Sequence, residues 1–550
     1  MSDDRGAGSP RRPMTAAGTT SLVAAATASP ERAGGRGQAG AGTPEQVRLT
    51  WGDDPARTVD VFWASAGQAG RPRVRIGQRV IAAAAARFRD DPRGGAATWT
   101  YHARVDGLRP GATYGYAVTA DNDANAADPF SATFTTAPTG RAAFRFTSFG
   151  DLAAPEPPGG APFGEAAYAV GAVEAFQPLF HLFNADLSCA GRHPAALGPT
   201  VRAQAWRDFG NNVQASAAYR PWLPVPGRRP PGPGEADGGP ASLLTRDPLP
   251  RDGVDGPEGR WYAFRVGTAL FVCLSGDDVA CAGAGAFSGG AQTRWLDGTL
   301  AAARADASVD WIVVQVHPCA CSSAGAGYGS DRGLRHDWLP LFDRYEVDLV
   351  LSGHDRGYER SFPVRGFDAW AGTDTATGTP VDTSRPHPVT RVDSGVFDTS
   401  QGTVHLALGS GGGAAGGSGP DPAAAAAGGF PAGLRTAAVF TRPPGPFRPV
   451  AGDGVPGGSP RPAADATETA TWSARRDSTA GYGIAVFDVS PGTEKGGQTS
   501  VTVRYYHAVG AGPVNPATGE PGPPGGDYTL FETFTLVRPR SDGRRWHLKG

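Results

Sequence analysis

The sequence predicts an all-β segment followed by a larger α/β unit, and three observations carry that prediction. Four nearly continuous apolar runs each end on a residue able to bind a metal: Phe144 to Asp151, Phe180 to Asp186, Trp311 to His317 and Val347 to His354. Stretches with helical spacing lie between them, so strands alternate with helices. Ahead of them, Gln46 to Trp51 and Thr58 to Trp63 alternate apolar and polar residues, as half-buried strands do. Buried strands of α/β sheets read as short apolar runs, and function collects where such strands end. Two carboxylates and two imidazoles at strand ends therefore point to a metal-centred hydrolytic site.

Length and composition bound the answer. At 550 residues the chain exceeds what one core supports, so two or three domains are expected. Lys plus Arg (51) nearly balances Asp plus Glu (53), which gives no reason to expect a nucleic-acid or membrane partner. Abundant Gly (80) and Pro (50) imply many turns and long loops. Five cysteines, an odd number, make no disulfide framework at this length. Cys319 and Cys321 follow His317 closely enough to raise a metal or redox role, against the simpler reading of small buried side chains. Arg11-Arg12, a weakly apolar stretch and Ala26-Thr-Ala28 resemble a twin-arginine export signal, so a secreted or extracytoplasmic protein is expected.

Residues 1–42 are read as this leader and a tether. Within 43–138, Leu108 to Val118 forms a turn running into a strand with Tyr114 and Tyr116 on one face, like the tyrosine corner of an immunoglobulin-like sandwich. The catalytic unit is placed at 140–410. Helices are expected over Phe163–Phe176, Gln292–Arg304 and His336–Arg344, each ahead of an apolar strand. Residues 411–470 read as a Gly/Pro/Ala-rich loop region, the stretch from about 366 being broken by one strand-like run at Gly402–Leu408. Strands return over 471–540 at Tyr482–Phe487, Ser500–Tyr506 and Tyr528–Leu536 and complete the unit.

Five blocks in order carry a family resemblance: Gly150-Asp151, Asn184-Ala-Asp186-Leu-Ser-Cys189, Pro226-Gly-Arg-Arg-Pro230, Val314-Gln-Val-His317 and Gly353-His354-Asp-Arg356. With the flanking Phe209-Gly-Asn-Asn212 and Gly357-Tyr-Glu-Arg-Ser361, the chain resembles a purple acid phosphatase-type metallophosphoesterase along its whole layout. The resemblance implies a four-layer α/β/β/α metallophosphoesterase sandwich preceded by a small all-β, fibronectin type III-like sandwich. It also implies Asp186 as the carboxylate bridging two metals, Asp151 on the first metal, and His317 and His354 on the second. The cofactor would be divalent or trivalent Fe, Zn or Mn, as one or two ions, and the partner a small-molecule phosphoester.

Four positions depart from the family pattern. The tyrosine of the first metal is Cys189, the asparagine of the second is Arg228, the histidine that assists the leaving group is Arg229, and the last histidine of the first metal is Arg356. Guanidinium has no lone pair to give a metal, yet it pairs well with phosphate oxygens. The expected function is a phosphate monoesterase with altered or reduced metal content, with Arg228, Arg229 and Arg356 on the phosphate. The alternative is a catalytically inactive phosphate- or phosphoester-binding relative.

Overall fold

Alternating patterns at the start become two small sheets. The computed structural model describes residues 42–89, 97–125, 128–152, 164–185, 198–226, 261–281, 288–325, 329–355, 357–411, 435–441, 464–477, 483–508 and 528–543. One four-stranded sheet holds β1 (Glu45–Thr50), β2 (Val59–Ser65), β6 (Ala97–Val105) and β5 (Ala84–Arg89). The other holds β4 (Arg79–Ala82), β3 (Arg73–Ile76), β7 (Thr113–Thr119) and β8 (Phe130–Thr135). The Tyr114 hydroxyl oxygen is bonded back to the upstream backbone, near where a tyrosine corner would be: it accepts from Arg109 N at 2.8 Å.

Two seven-stranded sheets follow. The first has the order β11 (Trp222–Pro224), β10 (Phe180–Phe183), β9 (Phe144–Phe149), β27 (Gly483–Ser490), β28 (Gln498–His507), β29 (Thr529–Pro539), β22 (Val396–Asp398). The second runs β12 (Tyr262–Val266), β13 (Ala269–Leu274), β14 (Trp311–Val316), β16 (Leu349–Ser352), β23 (Val404–Leu408), β17 (Tyr358–Ser361), β26 (Ser473–Asp477). Sequence alternation predicts a largely parallel sheet. Both sheets are instead mixed: the β9–β10–β11 and β13–β14–β16–β23 segments are parallel, while the C-terminal strands add as antiparallel neighbours.

Among the described residues, five helices cover the outer faces. Helices α1 (Gly164–Phe176) and α2 (Gly198–Ala217) lie on the first sheet, where Val170, Val173, Phe209 and Val213 pack with Phe149, Phe183 and Ile484. On the second sheet, α3 (Ala291–Ala305), α4 (Arg332–Asp337) and α5 (Leu339–Arg344) bury Leu296, Leu300, Leu334 and Phe342 against Ile312, Val314 and Val350. The layers are therefore α/β/β/α, with a core between the sheets in which Phe146 stacks on Phe487 at 4.4 Å and meets Phe271 edge-on at 5.1 Å.

Two elements differ from the sequence expectation. The single helix over His336–Arg344 is two short ones, because Pro340 in the first turn of α5 has no N–H to continue the α4 ladder. The stretch from 364 to 470 carries more than one strand. There β18 (Val364–Phe367) pairs with β21 (Pro386–Pro388), and β15 (Ser330–Asp331), β24 (Thr436–Phe440), β25 (Ala464–Thr469), β19 (Gly372–Asp374) and β20 (Pro380–Val381) form a five-stranded sheet. Strands of two to six residues with many Gly and Pro neighbours give too little alternation to read.

Candidate metal and phosphate site

The carboxyl ends of β9, β10, β14, β16 and β23 are stitched into one rim by backbone bonds. Gly150 N donates to Leu408 O and Gly411 N to Gly150 O, both at 2.7 Å. Asp151 N donates to Ala185 O at 2.6 Å, and Gly353 N to His317 O at 3.1 Å. These approaches need glycine: a Cβ on Gly353 would lie 2.4 Å from Asn184 O, and one on Gly409 would lie 2.2 Å from Asp355 O. Strain gathers here too. Asp151, Ala185 and His354 hold φ of 58°, 49° and 61°, a left-handed conformation that costs a non-glycine residue about 1–2 kcal/mol.

Each candidate histidine is oriented through Nδ1. His317 Nδ1 donates to Asn184 O at 2.9 Å, and His354 Nδ1 sits 2.8 Å from Asp355 Oδ1. Asn184 is itself fixed by its amide, which donates to Ser148 Oγ at 2.9 Å. Burial pushes the Asp355 carboxyl up, but the bonds from His354 and from Gly329 N outweigh that and hold it below the usual carboxylate range. An oxygen acceptor on one ring nitrogen fixes the tautomer and leaves the lone pair on the other, the arrangement of metal-ligating imidazoles. The two rings stand 5.5 Å apart at 70°.

Of the sequence-predicted site residues, Asp151, His317 and His354 come together on this rim. Asp186, Cys189, Arg228, Arg229 and Arg356 lie outside the described residues; Ala185, Pro226, Asp355 and Gly357 are their described neighbours. Among the described residues, no group of three or more His, Cys, Asp or Glu side chains could hold a metal ion by itself. The described donors thus suit Fe, Zn or Mn in kind but do not complete a site by themselves.

Cys319 and Cys321, and other titratable groups nearby, are structural. Burial pushes the Cys319 thiol well up, with Asp355 and Asp151 adding to it, and its Sγ donates to Gly353 O at 3.1 Å. Cys321 is likewise raised by burial and packs with Val364 and Trp472. A neutral buried thiol is a poor metal ligand. His405 is enclosed, and burial together with Arg335 pushes it down to about 3. Asp278 accepts from Ser288 and Gln292 at the start of α3. Tyr358 and Arg360 both donate to Glu532, and Glu359 accepts from Ser323 N and Ser473 Oγ, which anchors the chain behind His354. The orienting roles of Asn184 and Asp355 were missed by sequence reasoning, although both residues lie inside the quoted blocks.

Two stacked mixed sheets with helices outside are the layered fold that the family resemblance implies, with carboxylate and imidazole residues at the strand ends. A family model described as the purple acid phosphatase N-terminal domain matches residues 44–137. An uncharacterized protein of Mycobacterium tuberculosis is 34% identical over 95% of this chain and 93% of its own length. The Fe(3+)-Zn(2+) purple acid phosphatase 12 of Arabidopsis thaliana is 28% identical over 33% of this chain and 36% of its own. Purple acid phosphatase PPD1 from yellow lupin, Lupinus luteus, shares the fold, with a TM-score of 0.56 at 16% identity over 91% of this chain and 75% of that one. The chain belongs to the purple acid phosphatase-like metallophosphoesterases.

Proposed function

We propose that the protein hydrolyses phosphate monoesters with a reduced metal set, held by Asp186, His317 and His354, and with Asp151 beside it. The observation that carries this reading is the pair of imidazoles presented together at adjacent strand ends, each locked through Nδ1 by a backbone or carboxylate oxygen. A bound Fe, Zn or Mn ion would supply Lewis acidity toward the phosphoryl oxygens and lower the pKa of water. The chain's own part is preorganisation. Asn184 and Asp355 hold the two rings, Gly353 and Gly409 let the strand ends close up, and Arg228, Arg229 and Arg356 offset charge on the phosphoryl oxygens. We further propose that residues 43–138 form a supporting module and that the protein is exported.

The four departures at Cys189, Arg228, Arg229 and Arg356 favour a second reading, phosphate binding without turnover. Turnover of p-nitrophenyl phosphate by protein loaded with Zn, Fe or Mn separates the two. His354→Ala should lower kcat/KM by about 100-fold or more, the scale of losing a charge-stabilising element. Metal-loaded protein that turns over no phosphate ester, while phosphate still raises its Tm, would establish the binding reading instead.

A further inference from the structure

We propose that the loop between β7 and β8 of the N-terminal sandwich holds a calcium ion, with the Asp123 carboxylate as its central ligand. The loop opens with Asp121-Asn-Asp-Ala-Asn125, which sets oxygen-bearing side chains at the alternate positions where the first half of a calcium loop has them. Asp128 adds a further carboxylate before β8 begins.

The first two of these residues are spent on neighbours. Both oxygens of Asp121 take bonds from Arg71 and Arg73. Asn122 Oδ1 accepts from Gly70 N at 2.7 Å, and its amide donates to Gln68 O at 2.9 Å. These contacts pin the start of the loop to the chain that leads into β3. Asp123 differs. It is only 7% exposed, and its Oδ1 accepts from Asn125 N at 2.9 Å. Its Oδ2 is out of solvent and has no hydrogen-bond partner. The two arginines close in sequence to the pinned chain are paired with Asp121, so no guanidinium among the described residues neutralises Asp123. Carboxylates taken out of water are stable when they are paired or bound to a metal.

Other oxygens gather around the same turn. Thr43 Oγ1 accepts from Ala124 N and Ala120 O accepts from Asp123 N, both at 3.3 Å. Asn125 O accepts from Asp128 N at 2.8 Å, which returns the Asp128 backbone to the turn. Hydroxyl and carbonyl oxygens have a second lone pair to give after one such bond. With Asp121 committed, two carboxylates are left, in keeping with the absence of any group of three His, Cys, Asp or Glu ligands among the described residues. Calcium suits that set: it takes about six to eight oxygens in flexible geometry, with carbonyls, amides and waters among them. Magnesium demands a near-ideal octahedron and keeps its waters, and Zn or Fe favour imidazole or thiolate, which this turn lacks. Two carboxylates completed by neutral oxygens belong to the weaker calcium sites of extracellular modules, with Kd of about 0.1–1 mM.

Isothermal titration of the metal-free, full-length protein with CaCl2 tests this. The same titration of H354A separates the loop from the rim that carries His317 and His354. Wild type and H354A should each bind about one calcium ion with Kd of about 0.1–1 mM, undisturbed by an equal concentration of MgCl2. D123N should weaken binding about 10-fold or more, since ligand charge sets the affinity of such sites. D128N carries the comparison, with the same expected loss, should near-ultraviolet circular dichroism show D123N unfolded. No calcium binding by the wild type, or binding that D123N leaves unchanged, would overturn the proposal. Binding abolished by H354A would place the ion on the rim and overturn it equally. The phosphoesterase reading stands or falls separately, on turnover.

Discussion

His317 and His354 show how this site is specified one residue at a time: each ring is aimed by an oxygen on Nδ1, from Asn184 and Asp355 respectively. His405 and His181 show the opposite use of the same side chain. Both are enclosed, and burial holds them well below the usual histidine range, His405 down to about 3 with Arg335 adding to the effect. Below pH of about 6.5 the unfolded chain takes up protons that these folded residues refuse, so stability falls as pH drops through the window from about 6.5 to 3. Each histidine contributes at most about 1.4 kcal/mol per pH unit to that slope. Urea denaturation at pH 6.5 and pH 5 should show His405→Leu losing about 2 kcal/mol less than the wild type over this interval. An unchanged pH slope would mean that His405 is protonated in the folded protein. The candidate ligands themselves were legible because each closes an apolar run. Their second partners were not, since a backbone carbonyl such as Asn184 O leaves no mark in a sequence.

The loops that follow the strands decide whether those side chains meet. A Cβ at Gly353 would stand 2.4 Å from Asn184 O and 2.9 Å from His317 Nδ1, the two atoms of the bond that aims His317. Gly353→Ala should cost about 1–3 kcal/mol, as overpacking does, and weaken metal retention with it. Gly298, inside α3 with nothing within 4 Å of its would-be Cβ, is the control: Gly298→Ala should stabilise by about 0.5–1 kcal/mol. Thermal melts of both variants check the pair, and a stable Gly353→Ala that retains metal would show that the strand ends tolerate separation. Long elements with clear periodicity, such as α3 and β14, were readable in advance. The division of α4 from α5 was hidden because apolar spacing continues across Trp338, the residue that caps the end of one helix and the start of the next.

Across the described residues the N-terminal sandwich and the larger α/β layers share one core. Trp51 of the sandwich meets Phe180 at 5.1 Å and Phe264 at 6.0 Å, and Tyr116 donates to Ala218 O at 2.8 Å. Helix α2 closes the seam, where Gln214 Oε1 accepts from Val47 N at 2.7 Å. At the far end of the second sheet Asp348 is enclosed between Arg304 and Arg538 and accepts from Thr399. Burial pushes its carboxyl up, but the two guanidiniums outweigh that and hold it down. Such long-range pairings, among them Arg538 with Asp348 190 residues away, follow from topology and are invisible to local pattern.

What the shared core positions is the rim of strand ends. The most direct test is elemental analysis of the metal-loaded protein by inductively coupled plasma mass spectrometry, with Asp186→Ala measured beside the wild type. About one Fe, Zn or Mn ion per chain is expected, lost in the variant, because a carboxylate with two imidazoles suffices for one such ion. No bound metal, or metal retained undiminished by Asp186→Ala, would contradict it.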